Sequence, residues 1–368
     1  MHANMVVEEG GGELAFWLRL QLLPGVGPVA ARALLARFGL PQGIFSASFE
    51  TLREVVPAGL ARTILLPPKP VANSQLELTL QWLSRPGNAV LTLADVAYPP
   101  ALLEIPDPPL LLYVRGRPEL LSRPCVAVIG SRNASTQGMR NAAAFAEALS
   151  QAGLTIVSGL ALGIDTHAHE GGLRGEGATV AVIGTGADLV YPRRNLDLAQ
   201  RIAAQGCIVS EYALGLPAMP SNFPRRNRLI SGLARGVLVI EAAAQSGSLI
   251  TARLAGEYGR DVYALPGSIH STLAKGCHAL IKQGAKLVDS VDDVLQELQW
   301  PAVACAPAPA DAAPAHPLLA ALGYDPCDAD TLAARSSLAM AEVMGELLAL
   351  EMAGLVERLP GGLFQRCK

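Results

Sequence analysis

Two tracts in the middle of the chain carry residue types suited to gripping a chain of phosphates. Phe223-Pro-Arg-Arg-Asn-Arg-Leu-Ile-Ser-Gly-Leu233 places an aromatic ring, Asn227 and three guanidinium groups (Arg225, Arg226 and Arg228) at the start of a helix. Glu241-Ala-Ala-Ala-Gln-Ser-Gly-Ser-Leu-Ile-Thr251 runs from a strand into the loop Ser246-Gly247-Ser248, which opens another helix. A guanidinium offers phosphate a charge-assisted, bidentate hold. The free amides and positive dipole end of a helix start receive an anion. An aromatic ring beside them stacks on a base, a contact worth about 1–3 kcal/mol per base that holds single strands without reading sequence. The competing reading makes Phe223 a core residue and pairs the arginines with carboxylates. Local charge weighs against it, because residues 193–235 contain seven arginines and only two acids, Asp197 and Glu211.

Further loops extend the same chemistry. In Gly130-Ser-Arg-Asn-Ala-Ser135, Arg132 and Ser135 stand where a dinucleotide fingerprint G-x-G-x-x-G needs its second and third glycines. That substitution argues against NAD and leaves Gly130, Ser131 and Arg132 as a phosphate grip. In Ser158-Gly-Leu-Ala-Leu-Gly-Ile-Asp165, the glycines Gly159 and Gly163 beside Ser158 allow close backbone approach, and Asp165 is placed to cap the helix that follows. Asp165, His167 and His169 do not read as a metal site, since residues two apart on a helix point about 200° apart. No paired carboxylates mark these loops for acid and base work. The expectation is a binding protein with no catalytic residue, no metal and no cofactor.

The elements that position these loops follow from the hydrophobic pattern. Short apolar strands at Val126 to Ile129, Thr155 to Val157, Thr179 to Ile183, Ile208 to Ser210, Val237 to Ile240, Val262 to Ala264 and Lys286 to Val288 alternate with helical segments. That alternation predicts a doubly wound parallel α/β sheet across residues 91–300, with ligands at the carboxyl ends of its strands. The proline-rich run from Tyr98 to Gly116 predicts an extended connector ending in an edge strand, Leu110 to Val114. Residues 1–90 read as a separate helical domain. Its turn Leu23-Pro-Gly-Val-Gly-Pro28 resembles a helix-hairpin-helix, although such a turn also serves to reverse a chain in a plain bundle. Residues 301–316, with eight Ala and four Pro, read as a linker. Residues 317–368 read as two helices and a hairpin, a winged-helix-like domain. Its second helix carries Glu342, Glu346 and Glu351 and no Lys or Arg, which favours protein contact over duplex reading.

Global properties narrow the class. A chain of 368 residues with net charge −3 is not a uniformly basic nucleic-acid binder, so any polyanion must meet a focused patch. Apolar runs stop short of a membrane span despite a mean hydropathy of +0.32, and Met1 to Gly12 is polar, so a cytoplasmic location without membrane association is expected. Six scattered cysteines with no C-x-x-C pair argue against a disulfide framework or zinc knuckle.

Taken in order, Gly130-Ser-Arg132, Ser158 to Asp165, Phe223 to Leu233, Ser246 to Ala252 and Gly259-Arg-Asp-Val-Tyr-Ala-Leu-Pro-Gly267 closely resemble the DprA family of DNA-processing proteins, also called Smf. The resemblance implies an extended Rossmann-like core between a SAM-like N-terminal domain and a winged-helix-like C-terminal domain. It implies single-stranded DNA binding, a homodimer, and loading of RecA during natural transformation, without catalysis. By motif position it gives Arg132 and the Ser246 to Ser248 loop to phosphates, and Phe223 with the arginines after it to the DNA pocket. One departure is His278, where the family usually has Asn. Two rivals remain. One is a nucleotide-processing hydrolase similar to lysine decarboxylase-like phosphoribohydrolases, whose P-G-G-x-G-T loop is replaced here by Gln245 to Thr251. The other is a duplex-binding regulator acting through residues 317–368.

Overall fold

A computed structural model describes residues 2–68, 70–301, 316–359 and 361–366, with side chains from residue 12 onward. The expected linker lies, apart from its two ends, outside the described residues. The chain forms two compact units, Met1–Trp300 and Pro301–Lys368.

The first unit is built on a nine-stranded sheet. Its strands are β1 (Asn88–Thr92), β2 (Leu111–Gly116), β3 (Cys125–Ile129), β4 (Thr155–Ser158), β5 (Thr179–Val182), β6 (Cys207–Ser210), β7 (Gly236–Val239), β8 (Asp261–Ala264) and β9 (Lys286–Leu287). They lie in the order β1-β2-β6-β5-β4-β3-β7-β8-β9. From β6 to β9 every neighbouring pair is parallel, while β1 and β2 add an antiparallel edge. The order runs outward from β3 in one direction through β4, β5 and β6, and in the other through β7, β8 and β9. The gap between β3 and β7 is therefore the topological switch point, where the loops leaving the two strands diverge and open a crevice.

Burial explains the apolar strands. In β3, Val126 and Val128 face one layer with Phe145 and Leu149 of helix Thr136–Gln151, whereas Ala127 and Ile129 face the other with Leu229 and Leu233 of helix Asn222–Leu233. With both faces covered, all five residues of β3 are buried, as alternation across a two-sided sheet requires. Helix Thr136–Gln151 starts where the Ser135 hydroxyl accepts from the Gly138 amide, and it buries Ala142, Phe145, Ala146 and Leu149 at helical spacing.

The edge differs from expectation. β2 is not an edge strand, because β1 pairs outside it from Asn88 opposite Arg115 to Thr92 opposite Leu111. The boundary expected at residue 90 falls inside β1. Trp17, Leu18 and Trp82 of the N-terminal helices share a core with Leu111 and Tyr113 of β2, so those helices cover a strand face that would otherwise meet water.

The second unit has helices Pro317–Leu322, Ala329–Ser336 and Met340–Met352 and a small antiparallel sheet, β10 (Cys327–Asp328), β12 (Leu363–Arg366) and β11 (Val356–Leu359) in spatial order. Leu332, Val343, Leu347 and Phe364 form its own core. Three helices and a wing hairpin make up this unit, so the winged-helix expectation holds with one short helix, Pro317–Leu322, more than the two the sequence suggests.

Candidate nucleic-acid interface

A groove of about 480 Å³ opens at the β3/β7 switch point. One wall is helix Asn222–Leu233, whose Pro224 fits the first turn, where no helical amide is required. Phe223, Arg226, Asn227 and Ile230 stand at i, i+3, i+4 and i+7 and together line the groove. The opposite walls are Gly130, Ser131 and Arg132 after β3, and Ser246, Gly247 and Ser248 after β7. Arg132 is exposed, with its guanidinium 5.6 Å from the Phe223 ring centroid.

Arg226 forms the floor. It is 4% exposed, and its Nη1 donates to the Val182 carbonyl. Burial pushes its pKa down to about 10, Asp165 opposes that fall and Arg132 adds to it, so the group stays cationic at neutral pH. Asp165 accepts from the Gly159 and Ala161 amides at 3.1 and 3.3 Å. It therefore does not cap the following helix, as the sequence suggests; Gly163 occupies that position at φ +75°. Burial pushes the Asp165 carboxyl up, and Arg226 with the two amides works against that rise. The groove thus presents two guanidinium groups and one buried carboxylate that is already bonded.

Other residues singled out in the sequence lie elsewhere. Arg228 is a correction: it points away from the groove and is buried between Glu211 and Asp107, with its Nε 3.2 Å from Asp107 Oδ2. Two residues from Arg226 on a helix, it must face nearly the opposite way. Arg225 is exposed outside the groove. Ser158 is buried and donates to the Val128 carbonyl at 2.7 Å. Gly159 makes room for Arg226, since a Cβ there would strike its guanidinium. Gly163 makes room for the Gly130 to Arg132 loop, where a Cβ would come within 2.6 Å of the Arg132 carbonyl oxygen. Gly130 is fixed by packing, because a Cβ would meet Ile164 Cγ1 at 2.6 Å and the Glu241 carbonyl at 2.8 Å. Gly159 and Gly163 thus admit protein atoms rather than a ligand, while Gly130 is a packed part of the groove wall.

The helix start after β7 also departs from expectation. The amides of Leu249 and Ile250 donate to the carbonyls of Ser246 and Gly247, and the Ser248 amide donates to Ser246 Oγ at 3.3 Å. An anion there would meet the dipole end of helix Ser248–Glu257 and the paired hydroxyls of Ser246 and Ser248, 2.6 Å apart.

In the sequence Glu241 stands only as a strand end. Its carboxylate accepts from the Ser135 amide at 2.9 Å and from the Ser135 hydroxyl, and its carbonyl accepts from the Ser131 amide at 2.8 Å. One residue leaving β7 thereby fixes both ends of the Gly130 to Ser135 loop. An acid placed between a strand end and a small-residue loop was the available signal. His278 donates to or accepts from no groove residue; its ring nitrogen lies 3.0 Å from the Gly267 carbonyl. Among the described residues, no cluster of His, Cys, Asp and Glu is arranged to hold a metal ion, and no helix is long and apolar enough to cross a membrane.

Comparison with known proteins places this groove in context. Residues 89–299 match the family model for DNA recombination-mediator protein A, and residues 301–362 match the DprA winged helix domain. Protein Smf of Escherichia coli is 43% identical over 298 residues, covering 78% of this chain and 80% of that protein. The structure of DNA processing protein A from Streptococcus pneumoniae is similar at a TM-score of 0.65 and 38% identity, covering 77% of this chain and 96% of that one. DNA processing protein A from Helicobacter pylori, solved for its single-stranded DNA binding mode, is similar at 0.52 and 32% identity, covering 57% of this chain and 95% of that one. A family model spanning more than half of the sequence, together with a relative 43% identical over most of both lengths, shows that the chain belongs to the DprA family of DNA recombination-mediator proteins.

Proposed function

We propose that the switch-point groove holds single-stranded DNA without reading its sequence and without turnover, and that the chain, as a homodimer, delivers the strand to RecA during DNA uptake. The carrying observation is that one helix face, Phe223, Arg226, Asn227 and Ile230, looks across the groove at Arg132 and the Ser246 to Ser248 loop. An aromatic ring in a groove with guanidinium groups is the arrangement that holds bases by stacking and phosphates by charge. The single-stranded DNA binding mode described for the Helicobacter pylori relative supports this ligand. Non-enzymatic action is supported by the two carboxylates near the groove: Asp165 and Glu241 are both engaged by amides rather than poised as a pair. Delivery to RecA and the homodimer rest on family membership alone.

The test is binding of oligo-dT and of a matching duplex at several salt concentrations. The single strand is expected to bind more tightly. Arg132→Ala is expected to reduce the slope of log affinity against log salt by about 0.7, the value for one phosphate contact to a single strand. Phe223→Ala is expected to cost about tenfold in affinity with the slope unchanged. Arg225→Ala, outside the groove, is the control and should change neither. Equal slopes in all four proteins, or preference for the duplex, would refute the assignment.

A further inference from the structure

Helix Met340–Met352 has two apolar sides, and the core of its own unit uses only one. Val343, Leu347 and Leu350, at i, i+4 and i+7, turn inward and are buried with Leu332 and Phe364. Met344, Leu348 and Met352 recur at i, i+4 and i+8 on another side, and they are 42%, 60% and 84% exposed. Single apolar residues scattered on a surface need no explanation, but a continuous run along a helix marks a contact. Met and Leu side chains also mould readily to a partner.

Gly345 stands beside that run, and nothing in this chain requires it. A Cβ at residue 345 would meet no atom within 4 Å apart from the helix's own backbone. Alanine would therefore fit, and glycine in a helix interior is the less stable choice. What a missing side chain provides on an exposed helix face is the close approach of another backbone. Ala341 and Ala349, one turn to either side and both exposed, keep the same line low.

The charges around the run fix the kind of partner. By helical spacing Glu342 and Glu346 border one edge and Glu351 the other, and the helix carries no Lys or Arg. The Glu342 carboxylate accepts from the Ala339 amide at 3.1 Å, and Glu346 Oε2 lies 2.8 Å from His316 Nε2, so both are held at the rim. In a helix-turn-helix the second helix is the one that enters the duplex. Here its acidic rim repels phosphates, and two copies of the face would set carboxylates against carboxylates. A helix with Leu or Met along one side and Lys or Arg bordering it matches both the apolar run and the rim.

We propose that this face docks a basic-rimmed amphipathic helix of a partner protein, with its backbone laid against Gly345 and its apolar side on Met344, Leu348 and Met352. The winged-helix unit then serves as a protein-docking module, independent of what the groove in the first unit holds.

The test is fluorescence anisotropy of labelled helical peptides about eighteen residues long, titrated with the full chain. A peptide with Leu and Lys in amphipathic order is expected to bind, and the same pattern with Glu in place of Lys to bind about tenfold more weakly. A scrambled Leu/Lys peptide, which keeps the charge and loses the apolar side, is expected to be weaker by about as much. Leu348→Glu is expected to weaken the Leu/Lys peptide about tenfold. Gly345→Ala is expected to raise the thermal unfolding midpoint and yet weaken the peptide about fivefold, a combination that a purely structural glycine does not give. Glu342→Gln/Glu351→Gln is expected to flatten the salt dependence of binding. Unchanged affinity in Gly345→Ala, or equal binding of the Leu/Glu or scrambled peptide, would overturn the proposal. So would a fall in sedimentation mass with Leu348→Glu, because the face would then be a contact between copies of this chain.

Discussion

Arg226 reaches the groove floor only because residue 159 has no side chain: a Cβ there would occupy the space of its guanidinium. Gly159→Ala is therefore expected to displace Arg226 without replacing any residue that lines the groove. Overpacking of this kind costs about 1–3 kcal/mol of stability. Loss of a charge-assisted contact should lower single-strand affinity by roughly tenfold or more. Thermal unfolding and anisotropy titration of the same preparation check both numbers, and unchanged affinity would show that Arg226 does not meet the ligand. The pairing of Gly159 with Arg226 joins positions 67 residues apart and leaves no trace in local sequence. The groove-lining face was legible only in part. The sequence offers Arg225, Arg226 and Arg228 together, and it is the structure that brings Phe223, Arg226, Asn227 and Ile230 to the groove and leaves Arg225 and Arg228 outside. The fate of Arg228 was not legible, since its partners Asp107 and Glu211 come from the proline-rich connector and the end of β6.

Among the elements, helix Ile164–Gly172 is bound to the sheet through His169, which is fully buried. Its Nε2 accepts from the Leu160 amide at 3.2 Å. Thr179 Oγ1 donates to the Ile156 carbonyl, which leaves the hydroxyl oxygen to accept from His169 Nδ1 at 2.7 Å and fixes a neutral ring. Burial, and secondarily Arg226, pushes its pKa from 6.5 down to about 3. The unfolded chain then binds a proton that the folded one does not, so stability is present above pH 6.5 and falls as the pH drops toward 3. Between pH 7 and pH 5 this group alone is expected to remove about 2 kcal/mol. Denaturant titration of wild type and His169→Gln across that range checks it. The variant should show a shallower acid slope even if it is less stable at pH 7, and parallel slopes would exclude His169 as the source. The β/α alternation that places this helix was visible as apolar runs separated by loops. β1 was not, because a five-residue strand after a Pro-Gly turn acquires its meaning only from antiparallel pairing with β2 more than twenty residues later.

For the whole molecule, a net charge of −3 coexists with a guanidinium-rich rim because the two units divide the charge unevenly. Arg132, Arg193, Arg194, Arg225 and Arg226 all lie in Met1–Trp300, whereas helix Met340–Met352 of the second unit offers Glu342, Glu346 and Glu351 and no Lys or Arg. Each unit also has its own core, with Leu332, Val343, Leu347 and Phe364 forming a cluster that includes no residue of the nine-stranded sheet. A chain ending at Trp300 is therefore expected to fold with its groove intact, and its affinity for oligo-dT should stay within about threefold of the full chain, less than 1 kcal/mol. Its salt slope should be unchanged, since no phosphate contact is removed. Near-complete loss of binding in a truncated protein that still unfolds cooperatively would shift the DNA site to the winged-helix unit. A loss confined to duplex would instead give that unit a role of its own beside the groove.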